Sequence, residues 1–400
     1  MKNLTTLPLL VTLIALTPAS AVLAARVQEE VISFSTPDGL ELQGIVSYPA
    51  TGTGPLPAML LIHGGGLHDA DLTIDIPDYR MTNGEQRYFR GLARFFSRRG
   101  MTILRYNKRG ASFDHQNDQP GQLFNSTLDD LVRDAESAYQ ALANHPMADP
   151  ARMAVYGISE GSMVAPRVVR RVGNARLLVM VGSVSSEFEH ILRFQTYEIH
   201  RMFFELAADA NGDGIVTLDE LDRLDGDSGR GSFWVGNLAP FLFTLSGTTV
   251  VGFHPDIDSN GDGRLQIADE LLPMLEEIFR NYLDAWRSGA AAGRLGQSYF
   301  EMRPNYRLIR KVRIPILFCQ GELDFQAPLS ETLDLIAVLE SKNRDYEALL
   351  FPKLGHSLSK PNDFFTEDGG LTILDNPTAN AMKKSTMKKI LKRVKALLAE

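Results

Sequence analysis

The five residues 157–161, Gly-Ile-Ser-Glu-Gly, limit the folds open to this chain more than any other feature. Residues 152–156 before them predict a buried strand, and residues 162–171 after them predict a helix. A serine on such a tight turn has an exposed hydroxyl, and flanking glycines avoid collisions with the neighbouring elements. We therefore expect an α/β fold with Ser159 on the turn as a candidate nucleophile. Taken alone, the pentapeptide also fits a glycine-rich turn without chemistry.

A second glycine-rich turn follows another predicted strand. The apolar residues 58–62 lead into residues 63–66, His-Gly-Gly-Gly, a loop whose bare backbone amides can face a developing negative charge. The backbone amide of Glu160, directly after Ser159, can face the same charge. The sequence therefore predicts an oxyanion hole formed by the amides of Gly65 and Glu160.

Two polar residues follow predicted strands near the carboxyl terminus. Asp324 follows the apolar strand 314–319, and His356 follows the strand 346–351. A serine hydroxyl is protonated at neutral pH, so it needs an imidazole as general base and a carboxylate that fixes the imidazole tautomer. Each residue alone also fits a turn cap or an ordinary loop histidine. Because all three candidates follow strands at one end of the sheet, we predict a catalytic triad of Ser159, Asp324 and His356.

Five motifs together resemble the α/β-hydrolases of the serine esterase and peptidase kind. They are residues 63–66, residues 105–110 (Arg-Tyr-Asn-Lys-Arg-Gly), residues 157–161, residues 321–324 (Gly-Glu-Leu-Asp) and residues 355–356 (Gly-His). The resemblance implies the α/β-hydrolase fold, a mostly parallel central sheet flanked by helices, and the triad. It leaves the substrate open, because this fold carries esterases, lipases, thioesterases, peptidases and lyases. Asn107 departs from the aspartate that relatives often carry, and we interpret its loop as structural.

The amino terminus predicts export. Lys2 precedes an apolar core at residues 7–16 that is too short to span a bilayer, and small residues offer cleavage sites before Arg26. We predict a signal peptide over residues 1–24 and a periplasmic or secreted protein, with an uncleaved anchor or a buried helix as alternatives. The predicted domains of the remaining chain are a first part of the hydrolase core at 25–182, a cap insertion at 183–305 and a second part of the core at 306–400.

Charge and composition exclude some partners. The formal net charge is −8, and losing Lys2 with the signal peptide makes it −9 (−8 minus +1). That acidity argues against nucleic-acid binding and is compatible with bound cations. No second long apolar run appears after residue 24, so we expect no stable membrane span after signal cleavage. The single cysteine, Cys319, lies in a predicted buried strand and cannot form an intramolecular disulfide.

An acidic loop at residues 209–220 of the predicted cap has the pattern of an EF-hand calcium loop. Glycine stands at loop position 6, where the chain bends around the ion, and glutamate at position 12 can close the ligand shell with two oxygens. A helix over residues 187–208 is expected before the loop, and a polar turn without metal is the alternative. The predicted calcium ligands are Asp209, Asn211, Asp213, Ile215 through its carbonyl, Thr217 and Glu220.

A second copy of this pattern covers residues 258–269. Its predicted ligands are Asp258, Asn260, Asp262, Arg264, Gln266 and Asp269. Because aspartate is shorter than glutamate, the shell would close through one oxygen, through water or through Glu270, and the affinity should be weaker. Residues 245–255 contain glycine, proline and β-branched residues, so the usual incoming helix is not expected. We expect a short ladder between residues 215–217 and 264–266 to pair the loops.

The place of the insertion suggests a cap over the active-site end of the sheet, with structural calcium that takes no part in catalysis. Three functions stay open. The first is an exported serine hydrolase that cleaves carboxylic esters. The second is an exopeptidase or acyl-aminoacyl hydrolase with the same triad, and the third is a non-catalytic calcium-binding scaffold. The intact triad weighs against the third, so the expected partner is a small-molecule ester or a peptide.

Overall fold

The computed structural model of the protein describes residues 26–51, 53–74, 86–223, 242–246, 249–359 and 382–399. The predicted signal peptide, residues 1–24, lies outside these described residues. Across the described ranges, none of the helices has the length and apolar character that a membrane crossing requires.

Eight strands form the central sheet. They are β1 (Val27–Ser35), β2 (Glu41–Pro49), β3 (Leu56–Ile62), β4 (Thr102–Tyr106), β5 (Ala148–Ile158), β6 (Leu177–Val181), β7 (Ile316–Gly321) and β8 (Tyr346–Phe351). Their spatial order is β1-β2-β4-β3-β5-β6-β7-β8. Strand β2 runs antiparallel to its neighbours β1 and β4, and the other neighbouring pairs are parallel. The predicted mostly parallel sheet is therefore confirmed.

Helices cover both faces of this sheet, as predicted. The longer helices of the described residues, including those of the insertion, are α1 (Tyr88–Ser97), α2 (Leu128–Ala143), α3 (Glu160–Val172), α4 (Leu272–Ser288), α5 (Gly293–Glu301), α6 (Leu329–Glu340) and α7 (Lys384–Leu397). Short helical turns span Phe113–His115, Pro120–Phe124, Leu218–Arg223, Asn305–Leu308 and Ile309–Lys311. Helices α2, α3 and α6 pack on one face, and α1 and α7 pack on the other.

The inner strands are buried on both faces, and β6 illustrates why. Its sequence is Leu-Leu-Val-Met-Val, and all five side chains are fully buried. Leu178 and Met180 pack toward α2, α3 and α6, whereas Val179 and Val181 pack toward α1 and α7. A continuous apolar strand is what a parallel sheet covered on both faces requires. This packing fixes the carboxyl ends of the central strands, where the candidate site lies.

The insertion between β6 and β7 begins with a helical segment at residues 188–208. Two π-helical turns, Phe194–Glu198 and Phe204–Ala208, alternate with α-helical turns in it, and the first acidic loop follows directly. A third π-helical turn, Ile267–Leu271, begins the helix that follows the second loop. The predicted helix before the first loop is thus present, with π-helical interruptions.

The two acidic loops are paired. Ile215–Val216 and Leu265–Gln266 form a short antiparallel ladder, which lies where the sequence predicts it. A β-hairpin of Phe243–Ser246 and Thr249–Phe253 precedes the second loop in place of an incoming helix. The glycine, proline and β-branched residues there favour strand over helix, as expected.

The insertion has its own apolar core and contacts the hydrolase core beside Asp324. Phe325, the next residue, packs against the apolar cluster formed by the helical segment, the ladder and α4. The side-chain amide of Gln195 donates a hydrogen bond to the Gln326 carbonyl at 2.8 Å. The loop that carries Asp324 is therefore in direct contact with the insertion.

Candidate active site

Ser159 lies at the junction of β5 and α3. Its φ of 57° and ψ of −122° are values that residues with side chains rarely adopt. A Cβ on Gly157 would lie 2.1 Å from the carbonyl oxygen of Gly161, and a Cβ on Gly161 would lie 2.4 Å from that of Ile62. Only glycine fits at these two positions, so Ser159 occupies the sharp strand-to-helix turn that the pentapeptide predicts.

The glycine loop after β3 lies directly beside Ser159. A Cβ on Gly64 would lie 3.2 Å from Ser159 Cβ and 3.7 Å from its Oγ. Gly65 follows in this loop. Glu160 is the first residue of α3, where backbone amides have no acceptor within the helix. The two amides of the predicted oxyanion hole thus belong to two backbone segments that adjoin Ser159.

His63, at the start of this loop, is a core residue and not a second base. Its Nε2 donates to the Asp69 carbonyl at 3.0 Å, and its ring packs against Phe89 and Tyr106. Burial holds the pKa of His63 well below its ordinary value. The neutral ring therefore anchors the beginning of the loop.

His356 and Asp324 form a buried pair at the carboxyl ends of β8 and β7. The Nδ1 atom of His356 lies 2.9 and 2.8 Å from the two carboxylate oxygens of Asp324. The side chains are only 5% and 0% exposed. Because an ionised carboxylate only accepts hydrogen bonds, Nδ1 carries the proton and Nε2 presents the lone pair.

Three further donors hold the Asp324 carboxylate. The amides of Gln326 and Ala327 donate to Oδ1 at 2.9 and 2.8 Å, and the side-chain amide of Gln320 donates to Oδ2 at 3.0 Å. Asp324 therefore caps its own turn and orients His356 at the same time. The turn-cap alternative and the triad assignment are both compatible with this geometry. The sequence did not point to Gln320, which is fully buried in β7.

Gly182 brings the acid–base pair next to the serine turn. The amide of Ser159 donates to the carbonyl of Val181 at 2.9 Å, and Gly182 is the residue after Val181. A Cβ on Gly182 would lie 2.7 Å from Cε1 of His356 and 3.1 Å from Oδ2 of Asp324. The imidazole thus packs against bare backbone at the end of β6, one residue after the carbonyl that binds the Ser159 amide. Sequence reasoning missed Gly182, because its importance depends on a contact between distant parts of the chain.

Gly182→Ala is expected to reduce kcat on the order of 10²-fold, because the added methyl group displaces His356 by a fraction of its ring width. Gly39→Ala is the matched control: Gly39 also has a positive φ (82°), but a Cβ there would have no described neighbour within 4 Å. Steady-state kinetics and melting temperatures of both variants test this. Equal turnover in the two variants would contradict the predicted contact.

The loop at residues 105–110 holds the surrounding backbone together. The side-chain oxygen of Asn107 accepts a hydrogen bond from the Ala70 amide at 2.7 Å. The guanidinium of Arg109 donates two hydrogen bonds to the buried carboxylate of Asp134, at 2.7 and 2.6 Å. These contacts agree with the structural interpretation of the loop for those two residues.

Lys108, between them, has different partners. Its ammonium group donates to Oε1 of Glu160 at 2.5 Å and to the Gly64 carbonyl at 2.9 Å. The hydroxyl of Tyr299, on α5 of the insertion, donates to the other carboxylate oxygen of Glu160. The sequence placed only the backbone of Glu160 in the site, and this cluster of side chains was missed.

The first acidic loop is folded around Asp209. The carboxylate of Asp209 accepts hydrogen bonds from the amides of Asp213 and Gly214, at 3.1 and 2.8 Å. Glu220 forms a capping box with Thr217: its Oε2 accepts from the Thr217 amide and hydroxyl, each at 3.0 Å. The position-12 glutamate thus caps the helix that leaves the loop.

The second loop repeats this arrangement with one change. Asp258 accepts a hydrogen bond from the Gly263 amide at 2.9 Å. Asp269, at position 12, is exposed, whereas Glu270 is buried and its Oε2 accepts from the Gln266 amide at 2.9 Å. The π-helical turn at this point accommodates one more residue per turn. Glu270 therefore takes the place that the position-12 glutamate has in the first loop.

In this arrangement the carboxylate side chains of each acidic loop do not converge on one point. Within the described residues, no three His, Cys, Asp or Glu side chains lie close enough together to hold a metal ion. The carboxylates are instead engaged by backbone amides of their own loops.

The positions of the three candidate catalytic residues decide the fold class. A nucleophile on a strand-to-helix turn, followed along the chain by an acid and then a histidine at the same end of a mostly parallel sheet, characterises one fold. The chain has the α/β-hydrolase fold.

Comparisons of this α/β-hydrolase chain with known sequences find hydrolases. The profile of the Prolyl oligopeptidase family matches residues 267–367, which include Asp324 and His356 but not Ser159. Esterase EstD of Thermotoga maritima is 29% identical over 180 residues. The matched part is 43% of this chain and 39% of that protein, so the chain spans well under half of this relative's length.

Solved structures with similar backbones include peptidases and other hydrolases. Acylaminoacyl peptidase of Pyrococcus horikoshii matches 93% of this chain and 42% of its own, with 15% identity and a TM-score of 0.48. The alpha/beta hydrolase GrgF from Penicillium sp. sh18 matches 93% of this chain and 98% of its own, with 15% identity and a TM-score of 0.47.

Proposed function

We propose that this protein is a serine hydrolase that cleaves carboxylic esters through an acyl-enzyme. The observation that carries the proposal is the buried Asp324–His356 pair, packed against Gly182 beside the turn of Ser159. The similarity to an esterase and the match to a hydrolase family support it.

In the acylation step, the Ser159 Oγ attacks the ester carbonyl carbon while Nε2 of His356 takes the hydroxyl proton. Asp324 keeps the imidazole in the required tautomer and stabilises the imidazolium that forms. The negative charge on the former carbonyl oxygen is stabilised by the amides of Gly65 and Glu160. Collapse of this intermediate breaks the ester bond, and His356 gives its proton to the leaving alcohol.

In the deacylation step, the same groups act on water. His356 takes a proton from a water molecule, whose oxygen attacks the acyl carbon on Ser159. The second tetrahedral intermediate uses the same two amides. Its collapse releases the carboxylic acid and returns the proton to Ser159.

A peptidase is the second candidate. The specific observation in its favour is the match to the Prolyl oligopeptidase family over the segment that contains Asp324 and His356. The same triad can cleave an amide when a site for the peptide terminus positions the substrate. An exopeptidase or acyl-aminoacyl hydrolase is therefore the alternative to the esterase.

A substrate panel separates these two activities. Purified protein would be assayed on p-nitrophenyl esters of increasing acyl length. Aminoacyl and N-acyl-aminoacyl substrates would each be tested as the p-nitrophenyl ester and as the p-nitroanilide, with kcat/KM as the readout. The ester proposal predicts higher kcat/KM for esters than for anilides of the same acyl group, beyond their difference in intrinsic reactivity. Preference for an anilide with a particular terminus would favour the peptidase.

We also propose that each acidic loop of the insertion binds calcium. Carboxylate, amide and carbonyl oxygens are the hard donors that calcium prefers, and Gly214 and Gly263 have the left-handed φ (82° and 73°) that lets each loop bend around an ion. The donor chemistry fits, provided that Glu220 leaves its capping box with Thr217. Bound calcium would crosslink the insertion, and the ester-cleaving steps above do not use it.

Calcium is expected to raise the free energy of unfolding by about 1 to 3 kcal/mol at roughly 10 to 100 times Kd. Glu220→Gln should weaken the first site strongly, whereas Asp269→Asn should change the second site little. Glu270→Gln should weaken the second site more than Asp269→Asn, because Glu270 faces the loop. Asp219→Asn is the control for Glu220→Gln. Asp219 is exposed, and its substitution removes the same negative charge.

Calorimetric titration and melting curves of metal-free protein measure these effects. Absence of calcium binding in the millimolar range, or melting that is indifferent to chelator, would reduce both loops to polar turns. Loss of activity on chelation with an unchanged melting temperature would contradict a purely structural role.

We further propose that residues 1–24 direct export to the periplasm or the medium and are then removed. The basic residue, short apolar core and small residues of this segment support the proposal. Sequencing the amino terminus of the protein recovered from its compartment tests it. A start near residue 25 is expected, and an intact leader on membrane-bound protein would indicate an anchor.

A further inference from the structure

We propose that Lys108 is a positioning residue that holds both halves of the oxyanion hole. Its single ammonium group donates to the Gly64 carbonyl at 2.9 Å and to the Glu160 carboxylate at 2.5 Å. One contact is on the glycine loop, and the other is on the residue after the nucleophile. Because the hole matters only if Ser159 is the nucleophile, the inference rests on the proposed function.

The contact with Gly64 sets the direction of the Gly65 amide. The Gly64 carbonyl and the Gly65 N–H belong to one peptide unit, which is planar and trans, so the two groups point in opposite directions. An ammonium group that binds the carbonyl oxygen therefore fixes where the N–H points. It also polarises the peptide, which makes its N–H a stronger donor.

The glycine loop needs such an anchor. Gly64, Gly65 and Gly66 lack side chains, so their peptide units can rotate at little steric cost. The next peptide unit is held in a similar way, because Nε2 of His68 donates to the Gly65 carbonyl at 2.6 Å. Lys108 and His68 together fix the two peptide units on either side of Gly65.

The contact with Glu160 fixes the other donor. The Glu160 carboxylate is held by Lys108 on one oxygen and by the Tyr299 hydroxyl on the other. Burial and the neighbouring Glu160 carboxylate raise the pKa of Tyr299 well above its ordinary value, so the hydroxyl keeps its proton and donates. With both carboxylate oxygens held, the first turn of α3 and its leading amide have little freedom.

This cluster is largely buried. The side chains of Lys108 and Glu160 are 5% and 6% exposed, and a Cβ on Gly65 would lie 3.8 Å from Oε2 of Glu160. Among the described residues, the neighbouring buried pair of Arg109 and Asp134 makes no hydrogen bond to the glycine loop or to Glu160. Both Lys108 and Arg109 form buried ion pairs, but only Lys108 contacts the glycine loop and Glu160.

The test compares Lys108→Met with Arg109→Met, each of which removes one buried cation. For each variant, kcat and KM would be measured on a p-nitrophenyl ester. Binding would be measured for a trifluoromethyl ketone, whose adduct with serine carries an oxyanion, and for the matching alcohol, which forms no adduct. We expect Lys108→Met to lower kcat and ketone affinity by about 10 to 100-fold, less than the 10²- to 10³-fold cost of losing a donor itself.

KM should change little in Lys108→Met, because acylation and deacylation both pass through an oxyanion and are slowed together. The affinity for the alcohol should change little, because the alcohol forms no oxyanion. Arg109→Met should lower the melting temperature while both kcat and ketone affinity stay near wild type. If Lys108→Met does not fold, Glu160→Gln provides the test. This change weakens the contact between the Lys108 ammonium group and residue 160, but the ammonium group can still bind the Gly64 carbonyl. It should shift kcat and ketone affinity in the same direction, by less.

Wild-type ketone affinity in a folded Lys108→Met or Glu160→Gln variant would overturn the positioning role. Equal losses of kcat in Lys108→Met and Arg109→Met would overturn it too. The proposed function would survive either result, because the wild type would still hydrolyse the ester. A wild type with neither hydrolysis nor a ketone adduct would instead overturn the serine hydrolase proposal, and this role with it.

Discussion

Replacing Ser159 with alanine is expected to reduce ester turnover by on the order of 10⁴-fold or more. The Oγ atom is the one that forms the acyl bond, and alanine offers no nucleophilic atom in its place. The fold should survive, because the Ser159 amide still donates to the Val181 carbonyl and alanine is no more strained than serine at this φ.

The measurement is kcat/KM of purified Ser159→Ala on a p-nitrophenyl ester, with the melting temperature as a check on folding. Ser162→Ala is the matched control: Ser162 lies one turn along the same helix, and its Oγ accepts a hydrogen bond from the Val184 amide at 3.0 Å. This control is expected to lose stability but to keep turnover. Substantial activity in Ser159→Ala would remove Ser159 from the mechanism.

His356→Ala should cost about as much turnover as loss of the serine, and Asp324→Asn somewhat less, up to about 10⁴-fold. In Asp324→Asn the two backbone amides that bind Oδ1 would hold the asparagine carbonyl there. The asparagine NH₂ group would then face Nδ1 of His356 and stabilise the wrong tautomer, with the proton on Nε2. An imidazole in that tautomer cannot accept the serine proton, so the remaining turnover comes from the fraction of imidazole that keeps its proton on Nδ1, which also lies 2.9 Å from the Oδ1 position.

Glu322→Gln is the control for this second prediction. Glu322 lies on the same loop and is exposed, so its loss removes an equal charge without touching His356. Kinetics of the three variants on one ester, at pH values on both sides of neutrality, decide the assignment. A damaging Glu322→Gln with a mild Asp324→Asn would show that the wrong carboxylate had been chosen.

Local sequence pattern was sufficient to predict the strands and turns that carry the three candidate catalytic residues. Strand β8 has the predicted bounds, residues 346–351. Cys319 is fully buried in β7, as expected, and burial raises the pKa of its thiol. Hydrophobic runs and glycine turns are short-range patterns, so they can be recognised in the sequence without knowledge of the tertiary structure.

Contacts between distant parts of the chain could not be predicted in this way. Lys108 and Glu160 are 52 residues apart, and Glu160 and Tyr299 are 139 residues apart. Nothing in the local sequence marks Gly182 as the residue against which His356 packs. In the second loop the sequence left the choice between Asp269 and Glu270 open, because it depends on a π-helical turn, which has no distinctive sequence pattern.

Covalent labelling of Ser159 tests the central proposal most directly. Wild-type protein would be treated with a fluorophosphonate and examined by intact-mass and peptide mass spectrometry. We predict one phosphonyl adduct per chain, on the peptide that contains Ser159, with none in Ser159→Ala and much slower labelling in His356→Ala. No adduct on the folded wild-type protein, or the same adduct in Ser159→Ala, would contradict a serine hydrolase with Ser159 as its nucleophile.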